Sequence, residues 1–132
     1  MPAKILVVDD DPDILDAVTM ILESQGYEVV TARDGTEGLD KLKVEHPDLM
    51  ILDLMMPKMD GFDVVKYLQD SNGSKHKYIP IIILTSVRED ASRRRYELET
   101  GLGLDVDDYL EKPMSPDVLL KKVSTLIKMK KS

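Results

Sequence analysis

Cysteine is absent from the 132-residue sequence, which rules out a disulfide framework, a thiolate nucleophile and a cysteine-ligated metal site. Only two histidines occur, His46 and His76, and both fall in segments that read as loops. With no Ser-His-Asp or metal-histidine constellation in view, triad-type hydrolase chemistry has no support. Cations are in the minority, 18 Lys and Arg against 25 Asp and Glu, for a net charge of −7. Direct binding of nucleic acid needs the opposite balance, because basic side chains must displace counterions from phosphates. Long apolar runs are missing as well. Near the N-terminus one lysine precedes four consecutive aliphatics, Ile5 to Val8, and three aspartates follow. That is too short for a signal segment or a membrane span, so a cytoplasmic protein with no membrane partner is expected. Neither repeats nor a low-complexity linker interrupt the chain.

What is present fits a single globular domain over residues 1–132, with 42% hydrophobic and 33% charged residues. Lys4 to Val8 is a short β-branched run of the kind seen in strands covered on both faces. Asp11 reads as an N-cap with Pro12 at the first helical position, and apolar residues from Ile14 to Leu22 follow at helical spacing up to Gly26. The alternation continues with strands at Tyr27 to Ala32, Asp48 to Asp53, Tyr78 to Thr85 and Val106 to Glu111. Helices are predicted from Asp34-Gly35 to His46-Pro47, from Phe62 toward Asn72-Gly73, over Arg88 to Gly101, and after Ser115-Pro116. Five strands alternating with five helices predict a doubly wound α/β sandwich with a parallel sheet.

Four of the apolar runs stop at residues suited to handling a phosphoryl group. They end at Asp9-Asp10, at Asp53, at Thr85, and just before Lys112-Pro113. In an open parallel sheet the C-terminal strand ends share one edge, where ligands bind. Three carboxylates gathered there repel one another unless a cation compensates, and a hard divalent ion such as magnesium suits them. Asp10, Asp53 and the main-chain carbonyl of Met55 are its expected protein ligands. A carboxylate beside that metal can attack phosphorus, and Asp53, ending the central strand, is the best placed. Lys112 and Thr85 would then meet the charge on the phosphoryl oxygens.

The sequence resembles, over essentially its whole length, a receiver domain of the two-component response regulator family, and more specifically a stand-alone, chemotaxis-regulator-like one. The resemblance is carried by Val7-Val8-Asp9-Asp10, Asp53 with Met56-Pro57-Lys58-Met59-Asp60-Gly61, Leu84-Thr85-Ser86, and Asp107-Asp108-Tyr109-Leu110-Glu111-Lys112-Pro113. It implies a flavodoxin-like fold with sheet order 2-1-3-4-5. By that resemblance Asp53 is the phosphoacceptor, taking a phosphoryl group from a phosphohistidine on a sensor histidine kinase or a histidine phosphotransfer protein. Asp10 binds Mg2+ directly, Asp9 largely through water, and Met55 through its carbonyl, with Mn2+ as an alternative ion. Lys112 bonds the phosphoryl group, Thr85 swings toward it, and Tyr109 follows as the aromatic switch. Lys112-Pro113 is expected to be cis. The output partner would read the surface of the fourth helix, last strand and last helix, and turnover would be limited to self-catalysed phosphorylation and slow hydrolysis.

Several other readings compete. Asp9, Asp11 and Asp13 imitate the start of a calcium loop, but Ile14 stands where glycine is needed and Met20 where glutamate is. An aspartyl-phosphate hydrolase would need an acid two residues beyond its nucleophile, and Met55 occupies that position. A docking module with a vestigial pocket is disfavoured because every pocket residue is present, while a receiver cut from a longer regulator stays open. Arg93-Arg94-Arg95 reads first as ion pairing with Glu89, Asp90, Glu97 and Glu99 along one helix, with docking of an output partner as the second reading. Two departures from the family stand out: a long stretch from Thr85 to Lys112, and Met114 in place of phenylalanine.

Overall fold

The computed structural model describes residues 2–54, 56, 59–70, 79–85, 106–112 and 114–131. The elements in chain order are β1 (Lys4–Val8), α1 (Pro12–Glu23), β2 (Glu28–Ala32), α2 (Gly35–Glu45), β3 (Leu49–Asp53), α3 (Gly61–Asp70), β4 (Ile81–Thr85), β5 (Asp108–Glu111) and α4 (Pro116–Lys131). All strand pairs are parallel and the sheet runs β2-β1-β3-β4-β5. The five-stranded order expected from the sequence is therefore present. The helix predicted over Arg88 to Gly101 lies outside the described residues, as do Met55 and Pro113.

The order has one reversal, at β1. The chain steps from β1 outward to β2 and then back past β1 to β3, so right-handed crossovers send α1 to one face and α2 and α3 to the other. Strand periodicity divides the core accordingly. Ile5, Val7, Leu49, Ile51, Ile82, Leu84 and Leu110 pack beneath α1 and α4. Leu6, Val8, Met50, Leu52, Ile81 and Ile83 pack beneath α2 and α3, with Tyr109 against their edge. Both faces being covered, β3 and β4 are buried along their whole length, which is why their sequences are unbroken apolar runs.

Short polar side chains start the helices. Asp11 accepts the Asp13 N–H at 2.9 Å with Pro12 in the first turn, and Asp34 accepts the Glu37 N–H at 2.8 Å. Asp60 and Asp63 cap α3 reciprocally, at 3.0 and 3.4 Å. Several element ends differ from expectation, β2 and β3 each starting one residue later and α3 one earlier, and three further differences have a local reason. α1 stops at Glu23, and Gly26 instead takes the left-handed conformation (φ 83°) in the turn toward β2. β4 starts only at Ile81, because Pro80 has no N–H to give a ladder. β5 starts at Asp108 because the Asp107 side chain, rather than a backbone group, receives the Ile81 N–H.

One glycine is required by close approach. A Cβ at Gly61 would lie 2.5 Å from the Asp53 carbonyl oxygen and 2.8 Å from Leu54 Cα, and the Gly61 N–H donates to Leu54 O at 2.9 Å. Backbone atoms cannot yield as a flexible side chain does. Gly61→Ala is expected to cost roughly 1–3 kcal/mol, the usual penalty of overpacking. Urea unfolding checks this: a lower midpoint with unchanged slope is expected, and a midpoint equal to the parent's would contradict the close-packed geometry.

Candidate functional site

The reversal in strand order opens a crevice between the C-terminal ends of β1 and β3, the position at which doubly wound sheets bind ligands. Val8 pairs with Leu52, so the next residues, Asp9 and Asp53, stand side by side. Asp9 extends the ladder one step, its N–H donating to Ala32 O at 3.1 Å. On the other side Asp53 pairs with Leu84, which leaves Thr85 one residue beyond. Lys112 follows β5 directly, and its N–H donates to Thr85 O at 2.7 Å. Four strand ends thus meet.

Carboxylate oxygens of Asp9, Asp10 and Asp53 lie within 4.8 Å of one another. Asp9 is fully buried, Asp53 is 1% exposed and Asp10 is open to solvent. The Lys112 Nζ bridges the two buried acids, at 3.3 Å from Asp53 Oδ1 and 3.1 Å from Asp9 Oδ2. Asp9 Oδ1 accepts the Asp11 N–H at 2.9 Å. Asp9 Oδ2 lies 3.1 Å from the Lys112 ammonium but makes no hydrogen bond of good geometry. Burial pushes the Asp9 carboxyl up from 3.8 to about 6, and the charge of Asp53 adds to the rise, while the Asp11 N–H and Lys112 counter it. A set of hard oxygen donors, partly buried and short of positive charge, matches what a small divalent cation needs.

Thr85 is buried, and Tyr109 is half-buried opposite Ile83 on the neighbouring strand. Positions 83 and 85 share a face of the sheet, so Thr85 and Tyr109 lie on the α2/α3 side as diagonal neighbours. Asp9, Asp10, Asp53, Thr85, Lys112 and Tyr109 are accordingly all at or beside this edge, while Met55 lies outside the described residues. Two contributors were not foreseen. The Asp11 N–H fixes the Asp9 carboxylate, and Gly61 lets the loop after β3 close against Asp53. Asp60-Gly61 reads as turn residues in the sequence, and only the closeness of backbone to Asp53 reveals the second role.

Residues 5–124 match the family model described as the response regulator receiver domain. The chain belongs to this family. Among curated relatives, this receiver domain is 40% identical over 128 residues to the alkaline phosphatase synthesis transcriptional regulatory protein PhoP of Bacillus subtilis, covering 97% of the chain and 50% of the relative. It thus spans about half the length of the curated relatives it matches. Among solved structures, the chemotaxis response regulator CheY4 of Vibrio cholerae superposes with a TM-score of 0.80 at 34% identity, covering 96% of this chain and 99% of that one. A receiver domain protein from Clostridium thermocellum gives 0.80 at 31% identity, covering 98% and 97%. No helix among the described residues of the receiver domain is long and apolar enough to cross a membrane.

The raised Asp9 carboxyl sets a pH dependence for the metal-free receiver domain. Native Asp9 holds its proton to about pH 6 and the unfolded chain only to about 3.8, so the contribution is fully present below 3.8 and is lost as pH rises through 6. The difference amounts to at most about 3 kcal/mol. Asp9→Asn removes that loss. In urea unfolding with a chelator, the variant should gain on the parent between pH 4.5 and 7.5; a difference independent of pH would contradict the assignment.

Proposed function

We propose that this receiver domain is a phosphorylation-activated switch in which Asp53 accepts a phosphoryl group from a phosphohistidine on a sensor histidine kinase or histidine phosphotransfer protein. The observation that carries the reading is the convergence of three carboxylates, with Lys112 on two of them, at the reversal of strand order. Asp53 ends the central strand of the sheet with the Lys112 ammonium at 3.3 Å, whereas the Asp9 carboxylate is already engaged by the Asp11 N–H. An Asp53 oxygen bonds to phosphorus as the P–N bond breaks, its electron pair going to an imidazole protonated on its other nitrogen, so that neutral histidine leaves. Lys112 Nζ transfers its contact from the carboxylate to a phosphoryl oxygen, and the Thr85 hydroxyl donates to another.

Asp9, Asp10 and Asp53, with the Met55 carbonyl, would hold Mg2+, and Mn2+ could take the same oxygen set. Bound there, the ion offsets carboxylate charge and draws charge from the phosphoryl oxygens. Movement of Thr85 toward that group frees space on the face it shares with Tyr109, which turns local chemistry into a change on the surface of β5 and the helices beside it. The covalent product is the signal itself, so the domain is read as a switch with slow self-hydrolysis rather than as a turnover enzyme.

The match to a transcriptional regulator, of which this chain spans half, supports an output that acts on transcription. Contact with nucleic acid is assigned to that output, because this domain carries a net charge of −7. Incubation with Mg2+ and a small acyl phosphate donor, followed by intact mass measurement, tests the chemistry. One added phosphoryl group is expected, absent in Asp53→Asn. An unmodified parent, or an equally modified Asp53→Asn variant, would refute the reading, and rapid multi-turnover phosphate release would point to a hydrolase.

A further inference from the structure

β5 carries both Tyr109 and Lys112, yet it is the least supported strand of the sheet. It has four residues and lies at an edge, bonded to β4 alone. Its register nevertheless decides the site. A slip of one residue moves a strand by about 3.3 Å and turns each side chain to the opposite face. Lys112 would leave Asp53, and Tyr109 would leave the face it shares with Thr85.

Two contacts resist that slip at the start of the strand. The Asp107 N–H donates to Ile81 O at 2.9 Å, and Asp107 Oδ2 accepts the Ile81 N–H at 2.8 Å. Asp107 thereby closes a two-bond clamp on the first residue of β4. Asp108 ties the strand to α4 through Lys122 at 2.9 Å and accepts the Tyr109 N–H at 2.8 Å. The Lys112 N–H on Thr85 O closes the far end. An equivalent clamp precedes β3, where the Asp48 N–H donates to Lys4 O at 2.7 Å and Asp48 Oδ2 accepts the Lys4 N–H at 2.8 Å. β3 is an interior strand paired on both sides, so its register has other support.

We propose that Asp107 is a positioning residue for phosphoryl transfer: its carboxylate holds β5 in register on β4, and it acts on the chemistry only through Lys112. The inference rests on reading Asp53 as the phosphoacceptor. A motion of an ångström in a group that must meet the reacting phosphoryl oxygens changes rates by up to about a hundredfold. The three carboxylates proposed to hold Mg2+ follow β1 or end β3, so loss of the clamp does not move them, and a displaced Lys112 leaves their affinity for the cation undiminished.

The test measures the rate of phosphorylation by a small acyl phosphate at saturating Mg2+, with Mg2+ affinity measured separately by calorimetry. Asp107→Ala should slow phosphorylation by about ten- to a hundredfold with Mg2+ affinity no weaker than the parent's. Asp107→Asn, whose amide oxygen still accepts the Ile81 N–H, should keep the parent rate, and so should Asp48→Ala. In a Lys112→Ala background, Asp107→Ala should add no further loss. Should Asp107→Ala not fold, Asp107→Glu supplies the same comparison with the acceptor displaced by one methylene. A parent-like rate in Asp107→Ala, an additive loss in the Lys112→Ala background, or equal slowing by Asp48→Ala would overturn the inference. A parent protein that takes up no phosphoryl group would instead defeat the reading of Asp53 on which it stands.

Discussion

The ammonium of Lys112 between Asp53 and Asp9 is the contact on which the site depends, because it stabilises two buried carboxylates that would otherwise face each other across adjacent strands. Like charges this close cannot both remain ionised in a buried setting without a counter-charge. One lysine faces three acids, and the Asp9 carboxyl is raised chiefly by its burial, with the charge of Asp53 adding to the rise. The cluster is therefore left receptive to cations. Asp9, Asp10 and Asp53 would gain positive charge from a divalent ion held there, and Lys112 would gain an anionic partner in a phosphoryl group on Asp53.

Topology makes this local tension possible. The reversal at β1 sets the ends of β1 and β3 side by side at the C-terminal edge of the sheet, where doubly wound folds bind ligands. Rigid support comes from below, where the interior strands are covered on both faces. The groups proposed to respond to phosphorylation, Thr85 and Lys112 with Tyr109, come from or directly follow β4 and the edge strand β5. In that proposal the chemistry is anchored on the buried centre of the sheet and its consequences are carried toward the edge.

Much of this is legible in the sequence because parallel strands buried on both faces must be apolar throughout. A carboxylate ending such a run is conspicuous, as at Val8-Asp9 and Leu52-Asp53, and Thr85 and Lys112 stand out by the same rule. Helix starts were equally plain at Asp11-Pro12 and Asp34-Gly35, since capping is a local matter of one side chain and the next turn. Contacts between segments distant in sequence were not legible. Nothing local distinguishes Asp107 from a residue of the strand, and its bond to Ile81 spans 26 positions. The role of Gly61 likewise depends on the Asp53 carbonyl lying where a Cβ would go.

If the carboxylate cluster keeps unfavourable charge in readiness for a cation, Mg2+ binding must be linked to folding. Urea unfolding is compared with and without Mg2+ at matched ionic strength, in the parent and in Asp10→Ala, whose exposed carboxylate is one of the three. Mg2+ should raise the stability of the parent, by about 2.7 kcal/mol at a hundredfold excess over Kd, and should raise that of Asp10→Ala far less. A parent whose stability is indifferent to Mg2+, or an Asp10→Ala variant stabilised to the same degree, would contradict the account.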